Sequence, residues 1–173
     1  CARTSASRAA AIASGLAGSR RRATSMAPRR VIASCASLPL AGYGNGIELH
    51  TKAEPYGLTV NYDMTSLGDS VFLARPDRKP TDSSGWDPNP YLKAQLEKNS
   101  AILLSLIDNC STVELKVTGM SEFGVPYTYY YMRDRTALQN DLGKDPRSFT
   151  DSLEGFTEYI NLLEERQLGG QGI

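Results

Sequence analysis

His50 is the one histidine of a 173-residue chain, so a His-based triad or a multi-histidine metal site has almost no material. It stands opposite Leu49 in the run "IELHT", on the polar side of what reads as a strand, and is expected to be exposed or structural. The three cysteines, Cys1, Cys35 and Cys110, show neither CxxC spacing nor an even disulfide framework. Cys110 follows an apolar helical run and reads as a plain, partly buried thiol. Nineteen acids could supply a carboxylate pair. Glu164 and Glu165, however, fall on a solvated helix end, and Asp141 and Asp145 flank a turn. Asp77, Asp82 and Asp87 lack the fixed spacing of a calcium loop. No phosphate-loop, G-x-S-x-G or H-E-x-x-H motif occurs. No enzymatic chemistry, cofactor or metal is expected.

What remains is recognition chemistry. In "VPYTYYYMR", Tyr127, Tyr129 and Tyr131 share one strand face and Tyr130 takes the other. Such a row either stacks a sugar or holds a peptide, or it packs, covering the sheet edge or filling part of the core with its hydroxyls at the rim. Trp86, the only tryptophan, either folds back over the core or anchors a partner. Trp86, Tyr129 and Tyr131 are the candidate binding residues, for an unknown protein or cell-envelope ligand.

These residues need elements to position them. Ile47, Leu49 and Thr51 alternate with Glu48 and His50, and Leu58, Val60, Tyr62 and Met64 alternate with Thr59, Asn61 and Asp63. Two such runs around Glu54-Pro55-Tyr56-Gly57 predict an antiparallel hairpin closed by a type I turn. Residues 65–90, with their prolines and their Ser, Asp and Gly, predict a long surface loop. Asn89-Pro90 can start a helix through "YLKAQLEKNSAILLSLIDN", with a stripe of Leu92, Leu96, Leu103 and Ile107 widened by Ile102, Leu104 and Leu106. Val113, Leu115 and Val117 mark a third strand and the tyrosine run a fourth. Asp134 and Gly143 bracket a short helix, and Asp151 with Glu154 can cap a last one, striped by Leu153, Phe156, Ile160 and Leu163. The order β-β-α-β-β-α-α predicts an α+β domain, an antiparallel sheet of about four strands with helices packed on one face.

The zero net charge averages two unlike parts. Residues 1–46 hold seven arginines, no lysine and no acid. Nineteen Lys and Arg less those seven leaves twelve against nineteen acids, so the body carries a formal −7. An acidic body is a poor match for nucleic acid. No apolar run approaches the roughly 18–20 residues of a membrane span. Residues 1–37 read as a basic Ala/Ser/Arg-rich leader, either an organelle-targeting segment or a disordered or non-native extension. Residues 38–166 read as one α+β domain and 167–173 as a flexible tail.

Several blocks together resemble a bacterial family of uncharacterised domains, found mainly in Gram-positive organisms. They are the hairpin "IELHTKAEPYGLTVNYD", the helix-to-strand segment "LEKNSAILLSLIDNCSTVELKV", and "YTYYYMRDRTALQNDLGKDPRSFTDSLEGFTEYIN". The similarity runs from about Leu38 to Leu163. It rests on Glu54 to Leu58 with Val60 and Tyr62, on Asn99, Leu103 and Leu106 to Asn109, on Tyr129, Tyr131 and Arg133, and on Gly143 to Asp145 with Arg147. Members occur as small secreted lipoproteins or as tails of membrane metallopeptidases related to β-lactam sensors. The resemblance implies a non-catalytic interaction or sensor domain outside the cytoplasm, with a lipid tether possible in a full-length protein. The chain departs from the family upstream of Leu38-Pro39, where the basic leader replaces a Tyr- and Asn-containing segment. That leader supports the alternative of an organelle-imported accessory subunit.

Overall fold

In the computed structural model, residues 28–52, 54–67, 72–74, 86–120 and 124–169 are described. Helix α1 (Pro28–Ala36) precedes strands β1 (Gly44–His50) and β2 (Tyr56–Asp63). Two three-residue strands follow, β3 (Phe72–Ala74) and β4 (Trp86–Pro88), then helix α2 (Pro90–Leu106). Strands β5 (Cys110–Met120) and β6 (Pro126–Asp134), and helices α3 (Arg135–Leu142) and α4 (Leu153–Gly169), complete the chain.

The class is α+β, and the main sheet has four strands in the order β1-β2-β5-β6. Its outer pairs are antiparallel, as the alternating runs predict, but the central β2–β5 pair is parallel. The reason is the connection. Parallel neighbours need a crossover of a dozen or more residues, and α2 lies between β2 and β5 in sequence. The predicted loop over 65–90 carries a small antiparallel pair of its own, β3 with β4, and most of the rest of that segment lies outside the described residues.

The hairpin forms with Ile47 opposite Val60 and Leu49 opposite Leu58. Its connection is not the predicted type I turn. The Glu54–Pro55 peptide is cis, and Tyr56 already belongs to β2, its amide donating to the Asn109 carbonyl at 3.1 Å. The Gly44-Asn45-Gly46 segment is the start of β1, with an irregularity in register between Gly44 and Gly46.

Helix α2 is capped as its sequence predicts, Asn89 accepting from the Leu92 amide at 2.7 Å with Pro90 in the first turn. Its stripe is the centre of the core, with Leu92, Leu96, Ile102, Leu103 and Leu104 buried. Each such side chain contributes about 1.5–3 kcal/mol. Of the buried polar members of the helix, Ser100 and Ser105 donate to the Glu97 and Ile102 carbonyls. Asn99 donates to the Pro39 carbonyl at 2.6 Å and to the Tyr62 hydroxyl at 3.3 Å, tying α2 to β2 and to the segment after α1.

The folded unit starts before residue 38, because α1 places Val31, Ser34 and Cys35 in the interior against α2. The part of the expected leader over residues 1–27 lies outside the described residues. At the other end, Asp134 caps α3 through the Ala137 amide and Gly143 ends it at φ 75°. Helix α4 is capped not by Asp151 but by Ser152, whose hydroxyl accepts from the Gly155 amide at 3.0 Å. Its buried stripe is Phe156, Tyr159, Ile160 and Leu163, while Leu153 is exposed. Tyr159 donates to the Ala101 carbonyl at 3.1 Å and stacks on Phe149 at 4.6 Å. The helix continues to Gly169, past the expected boundary at 166. No helix of the described residues is long and apolar enough to cross a membrane.

Candidate binding face

Strand pairing sorts the side chains into rungs. On the face under the helices, one rung holds Leu49, Leu58, Val113 and Arg133, the next Ile47, Val60, Leu115 and Tyr131, and a third Tyr62, Val117 and Tyr129. On the other face the rungs are His50, Gly57, Thr112 and Asp134, then Glu48, Thr59, Glu114 and Met132, then Gly46, Asn61, Lys116 and Tyr130. The first face is aliphatic and aromatic, the second polar. Helix α2 packs on β5 and β6 from the first side.

The open face holds a shallow concavity of about 850 Å³ running over β1, β2 and β5. A polar chain lies in it. His50 Nε2 is 2.8 Å from Thr59 Oγ1, and that hydroxyl donates to Glu114 Oε1 at 3.4 Å. His50 lies over Gly57, at an ordinary contact distance of 3.5 Å from where a Cβ would stand. Beside the chain, Asn61 donates to Glu48 Oε1 at 3.1 Å. The Lys116 ammonium sits 5.9 Å from the Tyr130 ring centre. At the margin, Tyr130 is 55% and Met132 69% exposed.

The chemistry of this chain is that of a bridge. In a hydrolytic triad the carboxylate orients the imidazole and the imidazole faces the nucleophile. Here Thr59 stands between the other two and is only 6% exposed, so its oxygen is spent on holding His50 and Glu114 in place.

Tyr129 and Tyr131 lie on the helix-covered face, half-buried against the core, with Tyr131 accepting from Arg133 Nη1 at 3.4 Å. Both rings pack against the core, and the ring of this row presented to solvent is Tyr130. The backbone of Trp86 pairs with Ala74, and β4 packs beside α2 and β6; the indole lies outside the described residues. Cys35 and Cys110 are buried free thiols, each pushed up to about 11 by burial. Neither suits thiolate chemistry. Among the described residues no group of acids, cysteines and histidine is clustered to hold a metal.

Sequence reasoning missed Arg135. Its guanidinium donates to the carbonyls of Leu104 at 2.8 Å, Asp108 at 2.5 Å and Ile107, closing the C-terminal end of α2. Arg147 adds a bond to the Asp108 carbonyl at 3.3 Å while gripping Asp145. Burial, and Arg147 nearby, lower the Arg135 pKa from its ordinary value.

A family model described as a domain of unknown function, DUF4825, matches residues 29–131, more than half of the chain. The chain belongs to the DUF4825 family. No curated protein and no solved structure matches it. The DUF4825 match begins inside α1 and ends in β6, so it takes in α2 and nearly the whole four-stranded sheet with its open face. Helices α3 and α4 follow it.

Proposed function

We propose that this DUF4825 domain is a non-catalytic interaction or sensor domain that works outside the cytoplasm at the cell envelope, holding a partner on the open face of its sheet. One observation carries the reading. Two large side chains, Tyr130 and Met132, stand more than half exposed on the edge strand beside a broad concavity. Tyrosine and methionine are enriched in protein interfaces, whereas a sheet face left only to water is normally polar throughout. The bridging geometry of Thr59 supports the absence of catalysis. The cell-envelope location rests on the family resemblance, as does a lipid tether.

The test is capture of protein from a cell-envelope extract of the native organism, with the purified chain as bait. Replacing Tyr130 by Ala together with Met132 by Ser leaves the circular dichroism and the melting midpoint unchanged but weakens capture by about tenfold or more, roughly 1.4 kcal/mol. Capture retained in full by that double variant overturns the reading. The basic leader favours a second one, an organelle-imported accessory subunit. A fluorescent fusion of residues 1–46 that enters an organelle supports it, and a diffuse one dismisses it.

A further inference from the structure

The sheet ends on two different edges. Strand β6 runs straight into α3 and has β4 packed beside it. Strand β1, among the described residues, packs chiefly on β2, so the outer hydrogen-bonding row of Ile47 to His50 is open. Exposed edges are usually protected by lysine, proline or a bulge. The sequence Gly44–His50 has neither lysine nor proline, and its one irregularity lies at Gly44/Gly46, before the regular stretch.

We infer that this edge receives a second copy of the same chain, β1 against β1 in antiparallel register about a two-fold axis through Leu49, joining the two sheets into one of eight strands. The register follows from charge. With Leu49 facing Leu49 of the second copy, Glu48 faces its His50, and the symmetry makes the same pair twice. The groups suit this. With the Thr59 proton directed at Glu114, His50 Nε2 donates to Thr59 Oγ1, so Nδ1 presents an N–H to the carboxylate when the imidazole is doubly protonated, and Glu48 uses Oε1 on Asn61, which leaves Oε2. Below the seam, Ile47 and Leu49 are only half-buried by their own chain, and a second strand would cover them. Moving the two-fold axis by one residue, which shifts the pairing by two, would set Glu48 against Glu48 or His50 against His50, like against like.

Sedimentation equilibrium of the full chain tests self-association, and cysteine crosslinking tests the register. In a Cys1→Ser background, Leu49→Cys gives a disulfide-linked dimer under mild oxidation. Glu48→Cys does not, because residue 48 faces residue 50 of the other copy. Glu48→Lys weakens self-association at least about tenfold, and the exchange Glu48→His with His50→Glu restores it. A chain that stays monomeric at every concentration, crosslinking as efficient at 48 as at 49, or a Glu48→Lys variant that associates like the wild type each overturns the inference. These measurements need only the purified chain, so their outcome is separate from that of the partner-capture experiment.

Discussion

The two faces of the sheet are made by alternate residues of the same four strands, yet they behave as different materials. Leu115 and Lys116 are neighbours in sequence. Leu115 is fully buried in the rung of Val60 and Tyr131, whereas Lys116 stands over Tyr130 on the open side. Stability is concentrated on one side, which leaves the other free to vary. Leu115→Ala should lower the unfolding free energy by about 3 kcal/mol, the cost of a cavity in a closed core. Lys116→Ala should change it by less than about 0.5 kcal/mol. Urea denaturation of the two variants checks the contrast, and similar losses at both positions would break it.

That contrast was legible in the sequence because it is a matter of period. Strict alternation in "STVELKV" and in the hairpin assigned Leu58, Val60, Val113, Leu115 and Val117 to the interior, and all are buried. The stripe of α2 and the caps at Asn89 and Asp134 were local enough to read. Three features were not. The parallel pairing of β2 with β5 depends on how α2 folds back over the sheet, and no local pattern encodes that. The extent of α1 was hidden by its Arg- and Ser-rich composition, although Val31 and Cys35 are core residues. The contacts of Arg135 reach back about thirty positions to the end of α2, and Thr59 meets Glu114 across 55. Periodicity says which way a side chain points and nothing about which distant partner it finds there.

A second pair of residues sharpens the comparison, one glycine in a strand on each face. On the covered side, a Cβ at Gly119 would lie 2.3–2.4 Å from the Tyr127 ring and hydroxyl, which fold across it. The tyrosine is itself only 2% exposed and has little room to move. On the open side, a Cβ at Gly57 would meet His50 at an ordinary 3.5 Å. Gly119→Ala should therefore cost about 1–3 kcal/mol through displacement of Tyr127. Gly57→Ala should be neutral or stabilise by up to about 1 kcal/mol, because it removes freedom from the unfolded chain at a position that can accept a methyl group. Thermal midpoints of the two variants moving in the same direction would contradict the assignment of faces.

The smallest expected effect lies off the sheet, where Asp145 and Arg147 brace the end of α2. The Arg147 guanidinium donates to both Asp145 oxygens, and the Asp145 carboxyl is held below its ordinary 3.8 chiefly by those bonds. A carboxyl with a depressed folded-state pKa stabilises the fold fully above the unfolded value and loses that contribution as pH falls through the folded one. The loss belongs below about pH 4, not in the neutral range. Asp145→Asn should thus lower the urea midpoint modestly at pH 7, and the difference from the wild type should shrink as pH falls towards about 3, where the native aspartate is also becoming protonated. The pair is partly exposed to water, so raising the salt concentration should shrink the same difference at pH 7. A gap that stays constant down to the acid limit would mean that Asp145 does not act through its charge.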